Sequence, residues 1–225
     1  MPKLKLLPAG FSITAHAGAL GSPENTIPAL LKVIESGVDI VEMDVSFRPD
    51  GTPVIIHKDA PKQNEGVPLI DAFKAVKVSR RIKVNLDLKS IKNLAAVQEY
   101  AEKEELLARV FFTGVDKSWV APVMAQCKLI PCYLNASTDK KQRDSFAYAQ
   151  SFAEKLLELN CVGLNCHFSE ISKTLIDVLH DKGLLVSVWT LDKKSDMKKM
   201  LSMSVDNITT RKPKKLFDLL NSMKE

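Results

Sequence analysis

The sequence predicts an α/β protein, specifically a (β/α)₈ TIM barrel with a short extra strand after strand 2. Short apolar runs alternate with longer segments of helical period along the chain, which is typical of a parallel sheet or barrel. Eight such strand–helix units can be counted, and eight units close a barrel. A doubly wound open sheet is disfavoured because the first turn, HAGALGSPENT, lacks the G-x-G-x-x-G spacing of a phosphate-binding loop.

Each barrel strand is predicted from an apolar run of suitable length. The eight predicted strands are Ser12–Ala17, Asp39–Ser46, Lys83–Leu88, Arg109–Thr113, Leu129–Asn135, Cys161–Cys166, Leu184–Thr190 and Val205–Thr209. The Pro-Asp-Gly turn in RPDGTPVIIH predicts the extra strand, Pro53–His57, before a helix that begins near Leu69.

The helices carry their own start and stop signals. Asn25 or Thr26 is expected to cap the first helix, Pro28 to lie in its first turn and Gly37 at its end. The last segment, KKLFDLLNSMKE, has one apolar face that is expected to complete the outer helical ring, and its members are Leu216, Leu219, Leu220 and Met223.

Length and composition indicate one soluble globular domain spanning residues 1–225. Hydrophobic residues make up 45% and charged residues 26%, and no apolar run approaches the ~20 residues of a membrane span, so no stable membrane insertion is expected. The N-terminus has no apolar signal region, which predicts a cytoplasmic location.

The net charge of +5 comes from dispersed lysines, which fits an acidic substrate and disfavours a nucleic-acid patch. The four cysteines form no C-x-x-C pair and are expected to be buried free thiols.

Acidic side chains follow one face of two adjacent predicted strands. Glu42 and Asp44 share a face of strand 2, and Asp87 and Lys89 share a face of strand 3. Three carboxylates at a barrel mouth form an oxygen-ligand site suited to one divalent cation, Mg²⁺ or Ca²⁺. Lys89 would hold a phosphate oxygen or balance the acids. The alternative is a structural ion-pair cluster, with Lys89 paired to Asp87 and Glu42 to another base.

The chain has four histidines, and two of them fall at the predicted mouth. His16 ends the first strand, where barrel active sites are built, and His57 ends the extra strand. Near a bound cation, one such histidine can remove a proton from the attacking oxygen while the other protonates the leaving alcohol. His167 is a candidate for the pocket wall. His180 is explained by the dipole at a helix C-terminus.

Several segments, in order, resemble the glycerophosphodiester phosphodiesterase family. HAG, PENT and VEMDVSFRPDGTPVIIHKD resemble its His-Arg-Gly start, its Pro-Glu-Asn-Thr loop, its Glu-x-Asp strand and its later His-Asp, and LLVSVWT and SVDNITTRKP are similar to its last two strands. The resemblance implies metal-dependent cleavage of a small glycerophosphodiester to an alcohol and glycerol 3-phosphate. It implies an acid–base pair, His16 and His57; metal ligands Glu42, Asp44 and Asp87; a phosphate contact, Lys89; and a wall of the glycerol pocket, Trp189.

Three departures from that family pattern bear on the reaction. Ala17 replaces the arginine that contacts phosphate, a loss worth on the order of a thousandfold in rate unless Arg48, Arg211 or a lysine compensates. Asp87 replaces a glutamate ligand and is one methylene shorter. The segment KDAPKQNEGVP is too short for the insertion that usually follows the second histidine, which predicts a more open mouth.

The departures keep other activities open. The sequence also resembles sphingomyelinase D-like phosphodiesterases, which share an aspartate as third ligand and lack the arginine after the first histidine. In those enzymes a substrate hydroxyl attacks phosphate and a cyclic product forms. A lysophospholipase D with a lipid-facing mouth and a catalytically impaired phosphodiester-binding barrel are the remaining alternatives. The sequence does not distinguish acid from base between His16 and His57.

Overall fold

The fold is a closed barrel of parallel strands surrounded by helices, seen in a computed structural model that describes residues 10–223. The strands are β1 Ser12–Ala15, β2 Ile40–Phe47, β3 Pro53–Ile55, β4 Val67–Pro68, β5 Lys83–Leu88, β6 Val110–Val115, β7 Cys132–Asn135, β8 Gly163–His167, β9 Leu185–Trp189 and β10 Asn207–Thr210. The helices are α1 Ile27–Glu35, α2 Leu69–Lys77, α3 Leu94–Lys103, α4 Lys117–Gln126, α5 Phe146–Glu158, α6 Lys173–Asp181, α7 Lys194–Met203 and α8 Pro213–Asn221.

Eight of the strands form the ring, in the order β1, β2, β5, β6, β7, β8, β9, β10, with β10 pairing back to β1. Every pairing within the ring is parallel, and the closing register places Ala15 beside Thr210. The predicted (β/α)₈ barrel is therefore confirmed. Alternate strand residues such as Met43 and Leu86 are fully buried in the hydrophobic core, which leaves their neighbours on the opposite face, toward the barrel interior.

The first helix begins and ends as its sequence predicts. Thr26 is its N-cap, because the Thr26 hydroxyl accepts a hydrogen bond from the backbone N–H of Ala29. Pro28 lies in the first turn, and Gly37, just past the end, has a φ of 79° that favours glycine. Since Thr26 supplies the cap, the side chain of Asn25 is left for another contact.

A small antiparallel hairpin branches from the ring after β2. β3 pairs with β2 and β4 pairs with β3, so the extra strand predicted at Pro53–His57 is confirmed but ends at Ile55, and β4 was not predicted. Arg48 holds the hairpin, because its guanidinium donates hydrogen bonds to the carbonyl oxygens of Glu65 (2.9 Å) and Gly66 (2.7 Å). The backbone N–H of Ile56 donates to the Asp44 carbonyl at 2.9 Å, which brings the next residue, His57, beside β2.

Most predicted strand boundaries lie within two residues of the observed ones. The largest difference is at β7, which begins at Cys132 rather than Leu129. Leu129 is 58% exposed, and Pro131 has no N–H to donate, so Pro131 contributes only its carbonyl oxygen, which accepts a hydrogen bond from the Phe112 N–H at 2.9 Å.

Two further expectations concern the cysteines and the helices. All four cysteines are buried and free, as predicted. Within residues 10–223, no helix combines the length and apolar character needed to cross a membrane.

Candidate active site

A cavity of about 440 Å³ opens at the carboxyl ends of the ring strands. Its lining includes all seven side chains that the sequence singled out for catalysis, metal binding or substrate contact: His16, Glu42, Asp44, His57, Asp87, Lys89 and Trp189. Parallel strands of a barrel bring their carboxyl ends to one face, which explains why residues distant in sequence meet there. The volume is suited to a small-molecule ligand.

Three carboxylates converge at one wall of this cavity. One oxygen each from Glu42, Asp44 and Asp87 lies within 4.8 Å of the others, so the shorter Asp87 side chain does reach the cluster. Glu42 Oε2 is buried and has no hydrogen-bond partner among residues 10–223. Burial, and then the nearby Asp87 and Asp44 carboxylates, raise the pKa of Glu42 well above its ordinary value. A hard oxygen-ligand set with an unpartnered buried carboxylate oxygen fits a divalent cation such as Mg²⁺ or Ca²⁺.

Lys89 lies against two of these carboxylates. Its Nζ is 2.5 Å from Asp87 Oδ2 and 3.0 Å from Asp44 Oδ1. Burial alone would lower the pKa of Lys89, but the carboxylates of Asp87 and Asp44 outweigh it and raise the pKa. The alternative of a Lys89–Asp87 ion pair thus describes part of the cluster. It leaves Glu42 without a base, so one lysine does not neutralise the three acids.

Of the three carboxylates, Asp44 makes the most hydrogen bonds and ion pairs. Asn25 Nδ2 donates to Asp44 Oδ2 at 2.7 Å, and the Asp44 backbone N–H donates to Asn25 Oδ1 at 2.9 Å. Burial would raise the pKa of Asp44, yet Lys89 and the Asn25 hydrogen bond lower it, so Asp44 is ionised at neutral pH. Asn25 has a φ of 55°, a left-handed conformation that asparagine tolerates better than most residues. Sequence reasoning treated Asn25 only as a possible helix cap and missed this role.

The two predicted histidines lie on either side of the cluster in different surroundings. His57 Nδ1 is 3.2 Å from Asp44 Oδ2, and the His57 side chain is 60% exposed. His16 is more enclosed: its Nδ1 accepts a hydrogen bond from the Gly18 N–H at 3.3 Å, and its Nε2 faces the Arg211 guanidinium at 3.3 Å. Burial, followed by the positive charge of Arg211, lowers the pKa of His16.

Neutral polar side chains form the floor of the cavity, and sequence reasoning missed them. Thr113 Oγ1 lies 2.8 Å from both Asp87 Oδ1 and Asn85 Oδ1 and donates its proton to one of them. Asn135 Oδ1 accepts hydrogen bonds from Asn165 Nδ2 (3.0 Å) and from the Gly114 N–H (2.9 Å). The available signal was a polar residue on a strand flanked by apolar ones, the same signal that identified Glu42.

The other two histidines lie outside this lining. His167, a candidate for the pocket wall, does not line the cavity but packs edge-on against Trp189, with ring centroids 5.5 Å apart. His180 lies in the last turn of α6, as predicted, and its Nε2 is 2.8 Å from Asp206 Oδ2, a partner that the dipole explanation did not foresee.

Comparisons with known proteins identify the family of this chain. The family model described as "Glycerophosphoryl diester phosphodiesterase family" matches residues 16–113 and 58–215. A glycerophosphodiester phosphodiesterase from Caldanaerobacter subterraneus subsp. tengcongensis is 23% identical over 255 residues, covering 92% of this chain and 97% of that protein.

Solved structures show the same fold. A structure from Silicibacter pomeroyi matches with a TM-score of 0.82 at 19% identity, covering 99% of this chain and 97% of that one. A phosphodiesterase from Oleispira antarctica, in complex with its product sn-glycerol-3-phosphate, matches with a TM-score of 0.78 at 23% identity, covering 96% of this chain and 97% of that one. The family match confirms the predicted resemblance and, with it, the expectation of a phosphoric diester hydrolase. This chain belongs to the glycerophosphoryl diester phosphodiesterase family.

Proposed function

We propose that this protein hydrolyses small glycerophosphodiesters to an alcohol and glycerol 3-phosphate, with one divalent cation and with His16 and His57 as the acid–base pair. The observation that carries this proposal is the meeting of two histidines and three carboxylates in one cavity of about 440 Å³. Lys89 and Trp189 line the same cavity, and we assign them to the phosphate and to the glycerol moiety, respectively.

Glu42, Asp44 and Asp87 would hold the cation. Asp44 Oδ2 has two partners, Asn25 and His57, and Oδ1 has one, Lys89 at 3.0 Å, so Oδ1 is the Asp44 oxygen that a cation could share with fewer contacts disturbed. When bound, Mg²⁺ or Ca²⁺ would neutralise charge that builds on a phosphate oxygen during the reaction. A cation would also relieve the repulsion that the two aspartates impose on Glu42.

His16 is the better candidate for the general base. Its lowered pKa keeps the imidazole neutral at pH 7, which is the form that accepts a proton. In the proposed reaction, His16 takes the proton of the attacking oxygen, from water or from a glycerol hydroxyl, as a new P–O bond forms.

His57 is then the general acid. The ionised Asp44 carboxylate, 3.2 Å from His57 Nδ1, orients the ring, and this leaves Nε2 to donate a proton. The proton goes to the leaving alcohol oxygen as its bond to phosphorus breaks. With water as nucleophile, glycerol 3-phosphate is released directly. With a glycerol hydroxyl, a cyclic phosphate forms first and must be opened by water.

A phosphodiester panel read by phosphorus NMR tests the proposal. Purified protein with Mg²⁺ or Ca²⁺ is expected to convert glycerophosphocholine or glycerophosphoethanolamine to glycerol 3-phosphate, and a transient cyclic resonance would identify the hydroxyl pathway. Activity on lysolipids alone would instead favour a lysophospholipase D. Binding of diesters without turnover across the metal series would show a catalytically impaired barrel and refute the proposal.

A further inference from the structure

Arg211 is one of the residues that could replace the arginine missing at position 17, and its backbone is fixed close to His16. It follows β10, the strand that pairs with β1, and the register Ala15↔Thr210 places Arg211 beside His16. The His16 N–H donates to the Thr210 carbonyl at 3.0 Å, and the Leu20 N–H donates to the Arg211 carbonyl at 3.3 Å. The backbone on both sides of Arg211 is thereby tied to the segment that carries His16.

The guanidinium itself is directed at the cavity. Arg211 lines the cavity, its Nη2 lies 3.3 Å from His16 Nε2, and the side chain remains 42% exposed. Within the described part of the chain, Lys89 and Arg211 are the lysine and arginine side chains that line this cavity. They approach it from different strands, Lys89 from the end of β5 and Arg211 from the end of β10.

A neighbouring loop holds Arg211 in place. Asp192 Oδ1 accepts hydrogen bonds from the Arg211 N–H at 2.9 Å and from the Thr210 hydroxyl at 3.1 Å. Asp192 Oδ2 lies 3.6 Å from Arg211 Nη1, and Lys215 Nζ donates to the Asp192 carbonyl at 2.9 Å. This contact orients the Nη1 side of the guanidinium. Nη2 carries two N–H groups, so one can face His16 Nε2 while the other faces an anionic ligand.

We propose that Arg211 binds the substrate phosphate, supplied from the end of β10 in place of an arginine after His16. This inference deepens the proposed function and rests on it for the identity of the ligand. Ala17 is 5% exposed and uncharged, so the side chain at position 17 supplies no charged contact to an anion. Arg48, the other arginine considered as a replacement, is committed to the hairpin carbonyls of Glu65 and Gly66 and does not line the cavity.

Charge in the cavity supports this assignment. Counting the carboxylates, lysine and arginine of the lining and leaving the histidines aside, three negative charges face two positive ones, which leaves one negative charge. A divalent cation turns the balance to one positive charge, which complements a phosphodiester monoanion. Without Arg211 the loaded cavity would carry one positive charge fewer and would attract the substrate less. The planar guanidinium can also donate two hydrogen bonds to one phosphate, which lysine cannot do with the same geometry.

Calorimetric binding of glycerol 3-phosphate and of inorganic phosphate, in Mg²⁺, separates this role from a structural one. Arg211→Gln is expected to weaken both affinities about 10- to 100-fold, as for loss of a hydrogen bond to a charged group. Arg211→Lys should recover part of the loss, because the charge remains. The matched control is Lys214→Ala, an exposed cation in the first turn of α8, which should bind within about twofold of wild type. Melting temperatures of all variants are expected to agree with wild type.

Two results would overturn the inference. One is Arg211→Gln binding both ligands as tightly as wild type. The other is wild-type protein binding neither ligand. Hydrolysis of glycerophosphocholine is measured in parallel, so that failure of the proposed function is distinguishable. An inactive wild type that still binds glycerol 3-phosphate through Arg211 would refute the catalytic proposal and leave phosphate binding standing.

Discussion

The two ends of the barrel each carry a histidine–aspartate pair, and the pairs differ in what surrounds them. At the amino ends of β9 and β10, His180 Nε2 lies 2.8 Å from Asp206 Oδ2, which also accepts the Val186 N–H at 2.7 Å. At the carboxyl ends, His57 lies 3.2 Å from Asp44 but is 60% exposed, and Asp44 belongs to a cluster with two further carboxylates. The same two residue types therefore lie in different surroundings at the two faces of the barrel.

The amino-terminal pair is satisfied by the protein itself. Its carboxylate oxygen has a ring and a backbone N–H as partners, and its histidine side chain is 29% exposed, so it joins α6 to the strands. The carboxyl-terminal pair borders a buried Glu42 oxygen that has no partner among residues 10–223. A buried carboxylate oxygen without a partner points to a ligand, whereas a pair whose groups are already partnered needs no ligand to explain it.

The contrast between the two pairs is tested most strongly by replacing the histidine of each pair with alanine. His57→Ala is expected to lower kcat/KM on glycerophosphocholine about 10²- to 10⁴-fold, the usual loss for a general acid. The melting temperature should hardly change, because the side chain is largely exposed. Steady-state kinetics and thermal unfolding check both parts. Residual activity within a few-fold of wild type would show that His57 is not the acid.

Glu42→Gln directly tests the carboxylate cluster at the carboxyl ends of the strands. It removes a proposed metal ligand, so activity and the rise in melting temperature on adding Mg²⁺ should both be lost. The pH dependence has a definite sign: the folded pKa of Glu42 is raised, so metal-free wild type loses stability as pH rises from the unfolded value toward the folded one. Glu42→Gln should lack that loss, and thermal scans in EDTA from acidic to neutral pH will measure it. Identical pH curves would contradict the assignment of an ionisable, uncompensated Glu42.

The grouping of acids and histidines at the carboxyl ends of the strands was largely predictable from the sequence, whereas the His180–Asp206 pair was not. Strand periodicity located all eight ring strands and put Glu42, Asp44 and Asp87 on inward faces, because residues two apart on a strand share a face. The Pro-Asp-Gly turn predicted that the chain folds back and brings His57 beside strand 2. Contacts between distant strands were not predictable: the register that places Arg211 beside His16 joins residues 195 positions apart. The contact of Asn25 with Asp44 was not predicted, because asparagine before a helix is also a common N-cap.

At the satisfied end, His180→Ala is expected to cost stability rather than activity. Loss of its hydrogen bond to Asp206 should lower the free energy of unfolding by about 1–2 kcal/mol, because Asp206 is left mostly buried with one partner fewer. The value of kcat/KM should stay within about twofold of wild type. Urea unfolding and kinetics on one preparation provide the comparison. A large fall in activity with unchanged stability would reverse the roles assigned to the two ends.

The smallest expected effect concerns the acidic limb of the pH–rate profile. If His16 is the base, activity is lost as pH falls through its pKa, which burial and Arg211 lower, while Asp44, Glu24 and Asp87 oppose that shift. Arg211→Gln removes one lowering influence, so the acidic limb of kcat/KM should move to higher pH. A shift toward lower pH would mean that another group, not His16, controls that limb.

The central claim is that Glu42, Asp44 and Asp87 hold a divalent cation against the phosphate of the ligand. Phosphorus relaxation of bound glycerol 3-phosphate, with Mn²⁺ as a paramagnetic substitute for the metal, measures it most directly. Strong relaxation enhancement in the wild type and its loss in Glu42→Gln is the predicted result. Enhancement equal to that of Mn²⁺ and glycerol 3-phosphate without protein would contradict the claim.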